Sequence, residues 1–277
     1  MLKVSISFDY DTPIGYNESF NIKDIADFSE IEGTDKILNI LNKYNIITTF
    51  GIVAKIIEHK KYREPFCRQI KNIYEEGHEI CSHSYSHKFL PSLSLEDLQN
   101  EIILGKQVIE NLINDPIIGF IPPFNRPMNY LRKGAISISE IFGLHKRGFG
   151  KNSLGKVLRI LNENEFLWCR VSFKSKFRQL KNILLSSNEI LYQPFYYRSI
   201  LVIPLHSTGF GDKTTQLIES NLGKNKLICI YAHPHQALNK CNSQSAENME
   251  KMIKKFQSAR ENGLLDYIAM KDIRKVI

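Results

Sequence analysis

The sequence predicts an α/β fold, a single domain spanning residues 1–277 in which a parallel sheet closes into a barrel. Three observations lead there. Segments with strand periodicity alternate with segments of helical periodicity along the chain, which is the pattern of a parallel sheet with crossover helices. The 277 residues, 43% of them hydrophobic and 24% charged, suffice to bury one substantial core without forcing a second domain. Residues capable of chemistry recur at the ends of the strand-like segments, and in a barrel those ends converge on one mouth.

Taken in order, Val4, Ile6 and Phe8 alternate with small or polar residues and predict a strand that delivers Asp9 and Asp11 at its C-terminal end. Pro13, Gly15 and Asn17 predict a loop. Thr34 is placed as the cap of a helix through about Asn42, with Ile37, Leu38, Ile40 and Leu41 on its buried face. The β-branched run Ile46 to Val53 predicts the second strand. A helix ending near Glu76 is stopped by Gly77 and leads into a strand from His78 to Cys81. Ser94 caps the longest helix, about Leu95 to Leu112, whose residues Leu98, Ile102, Ile109 and Leu112 recur at helical spacing. Ile117 to Ile121 is a strand closed by Pro122-Pro123. Further strands are expected at Phe166 to Val171, Ile200 to Leu205, Leu227 to Tyr231 and Tyr267 to Met270, with a helix from Glu247 to Ala259. There is no internal repeat, low-complexity segment or run long enough to span a bilayer.

Two stretches carry the chemistry. In Gly77-His78-Glu79-Ile80-Cys81-Ser82-His83-Ser84-Tyr85-Ser86-His87 a strand releases two imidazoles four residues apart, with small hydroxyl residues between them that let the loop bring both rings to one point. Neutral imidazoles suit zinc and its first-row neighbours, and a pair supplies half of a tetrahedral site. Two surface or capping histidines would be the bland reading of that spacing alone. The acidic pair in Ser7-Phe8-Asp9-Tyr10-Asp11 at the end of the first strand supplies the missing carboxylate and favours a metal site. Alternation along a strand keeps Asp9 and Asp11 on one face.

Phe8-Asp9-Tyr10-Asp11, then Gly77-His78-Glu79-Ile80 running into His83-Ser84-Tyr85-Ser86-His87, then Phe120-Ile121-Pro122-Pro123-Phe124, resemble the first three motifs of the polysaccharide deacetylase family, the NodB-homology family or carbohydrate esterase family four. The resemblance is strong up to about Asn125 and faint beyond. It implies a distorted (β/α) barrel of about seven strands and a metal-dependent hydrolase that removes an N-acyl group, acetyl above all, from an amino sugar in a glycan or glycan precursor. By that resemblance Asp9 is the base and Asp11, His83 and His87 hold one divalent ion, zinc by its ligand set. The backbone N–H of Phe124 is an oxyanion donor, and His233, in Tyr231-Ala232-His233-Pro234-His235, is the acid, with His206 its competitor. The family usually has Arg where this chain has Ile121, and that Arg pairs with the catalytic aspartate and orients it. Arg126 is close enough in sequence to replace it, and a surface arginine before Pro127 is the equal alternative. His59, His78 and His145 are read as structural or surface residues, Trp168 as core or pocket wall, and His235 as a wall or surface group.

The five cysteines are odd in number and scattered, which argues against a disulfide framework and for a reducing compartment. No basic segment, apolar run or cleavage site precedes the first strand, so a cytoplasmic protein is expected, with contact at the inner membrane face. A net charge of +8 and a pI near 9.1 would attract anions, and a phosphate-bearing or lipid-linked acylamino sugar fits, as does a plain solvated surface. The lysines are dispersed rather than gathered in an arm, so nucleic acid is not an expected partner. A glycosyltransferase is disfavoured because one strand, not a nucleotide-binding half, precedes Asp9-Tyr10-Asp11. A non-haem iron oxygenase is disfavoured because its ligands usually sit in a β-rich sandwich. A deacetylase-like metal-binding protein without turnover, and a deformylase acting on a lipid-linked sugar, remain as alternatives.

Overall fold

Strand β1 (Leu2–Tyr10) is the axis of the molecule, paired on both flanks and buried along all its length except Lys3. The computed structural model describes residues 1–20, 28–127, 151–172 and 191–276. The remaining strands there are β2 (Thr49–Ile52), β3 (Glu79–Ser82), β4 (Gly119–Phe120), β5 (Trp168–Ser172), β6 (Phe195–Tyr197), β7 (Ile200–Leu205), β8 (Ser207–Thr208), β9 (Leu227–Ala232) and β10 (Leu265–Tyr267). In the order β7-β5-β4-β3-β2-β1-β9 the central seven are all parallel, as the expected barrel requires. Closure is made by one bent segment. β7 pairs with β5, then the chain passes through His206, whose N–H donates to Cys229 O (2.9 Å), into β8, which pairs with β9. β10 adds to the start of β1, and β6 turns back antiparallel on β7.

Period-two alternation sorts the side chains into two cores. On β1, Leu2, Val4, Ile6, Phe8 and Tyr10 pack outward under the helices, as do Phe50 and Ile52 of β2, Cys169 and Val171 of β5, and Ile228 and Ile230 of β9. Their neighbours turn into the lumen, where Cys81, Ile121, Trp168, Leu201, Ile203, Leu227, Cys229 and Met270 form a second cluster. The same alternation puts Ser7, Asp9 and Arg170 on the lumen side toward the mouth. The helices outside are α1 (Thr12–Phe20), α2 (Ser29–Lys43), α3 (Arg63–Glu75), α4 (Leu95–Ile113), α5 (Leu154–Glu163), α6 (Asp212–Glu219), α7 (Ala246–Lys255) and α8 (Gln257–Glu261).

Several boundaries differ from expectation. The segment with Pro13, Gly15 and Asn17 is helix α1, because Pro is tolerated in a first turn, where its missing N–H has no intrahelical partner anyway. Thr34 is not a cap. It lies inside α2 and its hydroxyl donates to Glu30 O at 2.7 Å. β2 is only the second half of Ile46 to Val53, and β4 is two residues long. The last strand lies earlier than Tyr267 to Met270, and Met270–Lys275 is a 3-10 helix. The helix expected from Glu247 to Ala259 breaks at Phe256 into α7 and α8. Ser94 does cap α4, accepting the Asp97 N–H, and Gly77 at φ +87° ends α3 as expected.

The bottom of the lumen is polar. Glu79 accepts from Thr49 Oγ1 (2.7 Å), Trp168 Nε1 (3.0 Å) and Lys271 N–H (2.9 Å), fastening the C-terminal segment to β3. Trp168 is thus core, with its polar edge satisfied. Next to Glu79, buried His78 accepts the Thr48 N–H at 3.2 Å, and burial pushes its pKa down to about 4 from 6.5. The unfolded imidazole takes a proton near pH 6.5 and the folded one refuses it until about 4, so His78 makes stability fall as the pH drops through that window, by on the order of 3 kcal/mol. Glu79, pushed up to about 7 by burial, works in the opposite sense. Urea unfolding at pH 7 and pH 4.5 should therefore show a smaller acid loss in His78→Gln than in the parent; equal losses would place the acid-labile group elsewhere. His59 is half-buried, its Nδ1 accepting the Tyr62 N–H at 3.2 Å, and His145 lies outside the described residues.

Candidate metal centre

Asp9 ends the lumen side of β1 and Asp11 follows one residue beyond the strand, both nearly inaccessible. The loop after β3 brings His83 and His87 to them. Ser84 (φ 68°) and His87 (φ 61°) both take the left-handed conformation, which costs a non-glycine residue of order 1–3 kcal/mol and persists only when neighbours dictate it. The dictating neighbour is Glu101 of α4. Its carbonyl accepts the Tyr85 N–H (2.9 Å), and its carboxylate accepts the Ser86 N–H (2.8 Å) and the Ser86 hydroxyl. Ser84 Oγ in turn accepts the His87 N–H at 3.0 Å. Gly105 lets α4 come this close, since a Cβ there would meet the Ser84 carbonyl carbon at 2.8 Å.

Asp11 Oδ1 lies 3.3 Å from Nε2 of His83 and 3.3 Å from Nε2 of His87. His83 Nδ1 sits 2.7 Å from the Ile121 carbonyl. A carbonyl only accepts, so Nδ1 carries the proton and Nε2 turns a lone pair toward Asp11. Yet Asp11 Oδ1 and His83 Nε2 are both buried without a hydrogen-bond partner. Buried polar atoms left so are rare. Three donor atoms of two imidazoles and a carboxylate within 4.8 Å of one another form the donor set a divalent cation satisfies, so the residues fit a metal. Burial alone would raise the Asp11 carboxyl, but His87, His83 and His233 hold it well below the usual range. Burial pushes His87 down to about 4, keeping it in the neutral, ligating form.

The partner of Asp9 was not legible beforehand. Arg170 of β5, fully buried, forks onto Asp9, Nη1 to Oδ1 and Nη2 to Oδ2, both at 2.7 Å. It also donates to Ser7 Oγ (2.8 Å) and Asn125 Oδ1 (2.9 Å), and lies 4.9 Å above the Tyr231 ring. Burial would raise the Asp9 carboxyl, but the guanidinium outweighs it and keeps the group below its ordinary value. Arg126 does not take this place. Its Nη1 donates to the carbonyls of Phe124 and Asn125, each at 3.3 Å. The signal that was there to find was an arginine at the centre of an apolar strand, Trp168-Cys169-Arg170-Val171, a residue type almost never buried unless paired.

His233 follows β9, with Nε2 3.8 Å from Asp11 Oδ2. Gln244 Oε1 stands 2.7 Å from its backbone N and 3.0 Å from its Nδ1. His206 is spent in the wall, its Nδ1 accepting the Cys229 N–H (2.8 Å) and its Nε2 donating to Tyr192 O (2.7 Å). Phe124 is left-handed (φ 57°), and its ring packs 4.6 Å from that of His87. His235 is a wall residue, 3.4 Å from the buried Glu30 of α2. α2 sits against the turn that carries these histidines because Gly33 has no side chain; a Cβ there would lie 1.9 Å from Pro234 O. Gly33→Ala should therefore cost about 1–3 kcal/mol in urea unfolding as α2 is pushed off the turn, and an unchanged midpoint would show that the contact yields freely. Beside the centre, a cavity of about 750 Å³ is lined in part by Asn125, Arg126, His206, Lys213, Asp212 and Tyr231. No helix among the described residues is long and apolar enough to cross a membrane.

Residues 4–138 match the profile of the polysaccharide deacetylase family. Among curated relatives, a peptidoglycan-N-acetylglucosamine deacetylase of Bacillus cereus is 30% identical over 112 residues, 40% of this chain and 37% of the relative. A peptidoglycan deacetylase of Helicobacter pylori is 24% identical over 44% of this chain and 41% of the relative. The chain thus spans under half the length of these relatives. Solved structures share the fold across nearly all of it. The peptidoglycan deacetylase PdaC of Bacillus subtilis superposes with a TM-score of 0.51 at 14% identity, covering 99% of this chain and 90% of that one. A carbohydrate esterase family four pseudoenzyme of Bacillus anthracis gives 0.54 at 15% identity over 98% and 64%, and an allantoinase gives 0.64 at 14% over 99% and 89%.

Proposed function

We propose, for a chain whose residues 4–138 belong to the polysaccharide deacetylase family, a metal-dependent hydrolase that removes an N-acyl group, acetyl in the first instance, from an amino sugar of a glycan or glycan precursor. The observation that carries this reading is the convergence of Asp11 Oδ1, His83 Nε2 and His87 Nε2 at 3.3 Å beside a carboxylate held by an arginine. A divalent ion held by Asp11, His83 and His87, zinc by that donor set, would polarise the acyl oxygen and acidify a water.

The chain's own groups supply the rest. Asp9, kept ionised by Arg170, takes a proton from the attacking water as general base. The backbone N–H of Phe124, set by its left-handed turn, serves the oxyanion. His233 hands the proton on its Nε2 to the departing nitrogen as the amide C–N bond breaks. His206 is unsuited to that step because both of its ring nitrogens are engaged in the wall. The cavity beside the centre receives the sugar, and Arg126 and Lys213 on its wall favour a phosphate-bearing acylamino sugar, with formyl as an alternative acyl group.

The test is amine release from N-acetylglucosamine oligomers, peptidoglycan fragments and phosphate-linked acylamino sugars by the zinc-loaded protein. Release abolished by a chelator and restored by zinc is expected. A metal-replete protein that releases amine from none of them would favour the second reading, a metal-binding protein without turnover. Ile121 at the family's arginine position argues for that reading; Arg170 on Asp9 argues against it.

A further inference from the structure

The hydrogen bonds around His233 fix its tautomer, and they do so through a neutral side chain that no sequence motif marks. Gln244 Oε1 is 2.7 Å from the backbone nitrogen of His233. A backbone N–H can only donate, so the amide atom facing it is the oxygen, and the usual ambiguity of a glutamine's two ends does not arise. The same oxygen is 3.0 Å from Nδ1 of the ring. An oxygen that only accepts requires a proton on Nδ1, which leaves Nε2 as the atom turned toward Asp11. Gln244 is itself held, its N–H donating to Asn242 Oδ1 at 2.9 Å, and it immediately precedes Ser245, the cap of α7.

We infer that Gln244 is the positioning residue of His233, locking the ring as the Nδ1–H tautomer so that Nε2 is the atom that gains and loses the catalytic proton. The inference rests on the acid role given to His233 above. In that role the ring starts with protons on both nitrogens, Nδ1–H on Gln244 and Nε2–H toward the substrate. As the amide C–N bond breaks, the Nε2 proton goes to the amine nitrogen and the ring is left neutral with Nδ1–H still in place. Recharging from solvent at Nε2 completes the turnover, while the proton taken by Asp9 returns to solvent, so the balance is amide plus water to acid plus amine. No exchange of protons between the two ring nitrogens is needed at any point.

The test is ¹⁵N NMR of the histidine rings in the zinc-loaded protein, with the His233 signals identified by their loss in His233→Ala. The neutral His233 ring should show a protonated Nδ1 and a bare Nε2. Gln244→Ala should convert it to the Nε2–H form or a mixture and lower kcat by tenfold or more while KM stays within about twofold. Gln244→Glu, which keeps an acceptor oxygen in place and guards against a folding defect in the alanine variant, should retain the Nδ1–H form. A parent protein with His233 in the Nε2–H form, or an unchanged tautomer in Gln244→Ala, overturns the inference whether or not the protein hydrolyses any substrate. A locked tautomer in a protein inactive on every acylamino sugar would instead keep the positioning role and remove the function it serves.

Discussion

Arg170→Met is expected to lower stability by about 3–5 kcal/mol in urea unfolding and to reduce turnover by about 10²-fold or more. The first figure follows from burial. Asp9 and Arg170 are both almost inaccessible, and their ion pair is the bidentate form that repays much of the desolvation of each charge. Removing one partner leaves the other charge uncompensated in the lumen, which costs more than the pair is worth. The second figure follows from geometry, because a general base typically contributes about 10²–10⁴-fold and does so only when aimed. Asp9→Asn should also lose most turnover while still binding metal, and it should lose stability, since the guanidinium then faces a neutral amide. The double variant Asp9→Leu/Arg170→Met separates the two effects: it should be more stable than either single replacement and remain inactive. A fully active Arg170→Met protein with an unchanged unfolding midpoint would end the assignment.

That pair marks the limit of what the chain could disclose in one dimension. The strands were readable where alternation or β-branching is strong, and Ile200 to Leu205 is found as expected. The meeting of Asp11, His83 and His87 was readable because its signal is local: His83 and His87 are four residues apart, and Asp11 stands at the end of a strand whose pattern is clear. Asp9 and Arg170 are 161 positions apart, and only the fold makes them neighbours, whereas sequence proximity points to Arg126 as the replacement for the absent motif arginine. Gln244 is invisible for a related reason. It acts through one oxygen that meets a ring 11 residues away, and an amide carries no signature of that use. The bent β7–β8 segment was hidden differently, since it reads as one strand while pairing with β5 on one part and β9 on the other.

The supports of the metal loop were equally silent. Glu101 lies on the same buried face of α4 as Leu98, Ile102 and Gly105, a carboxylate 4% exposed whose partners Ser86 and Tyr85 only the fold brings to it. Its burial is the reason a loop with two left-handed non-glycine residues holds one shape. The physical distinction is between residues that act by their own chemistry, which sequence shows, and residues that act by where the fold sets them, which it does not.

His83→Ala is expected to leave the fold in place and to empty the metal site. The imidazole supplies one of the three donors of the cluster, and its Nδ1–H, anchored on the Ile121 carbonyl at 2.7 Å, aims Nε2 at Asp11 Oδ1, a placement that alanine cannot reproduce. The loss in affinity should exceed the 10–100-fold that removal of an outer-shell partner brings. Ligand linkage provides a readout that needs no substrate. A cation that binds the folded state alone adds about 2.7 kcal/mol at a free concentration of 100 times its Kd, so zinc should raise the Tm of the parent protein, and His83→Ala should lose that increment together with its bound metal. His233→Ala should keep both, because its Nε2 stands 3.8 Å from Asp11 Oδ2, outside the cluster that Asp11, His83 and His87 form. Elemental analysis and thermal unfolding with and without zinc distinguish the cases: full metal stoichiometry and an undiminished zinc-dependent rise in Tm in His83→Ala would show that the ion is held by other residues.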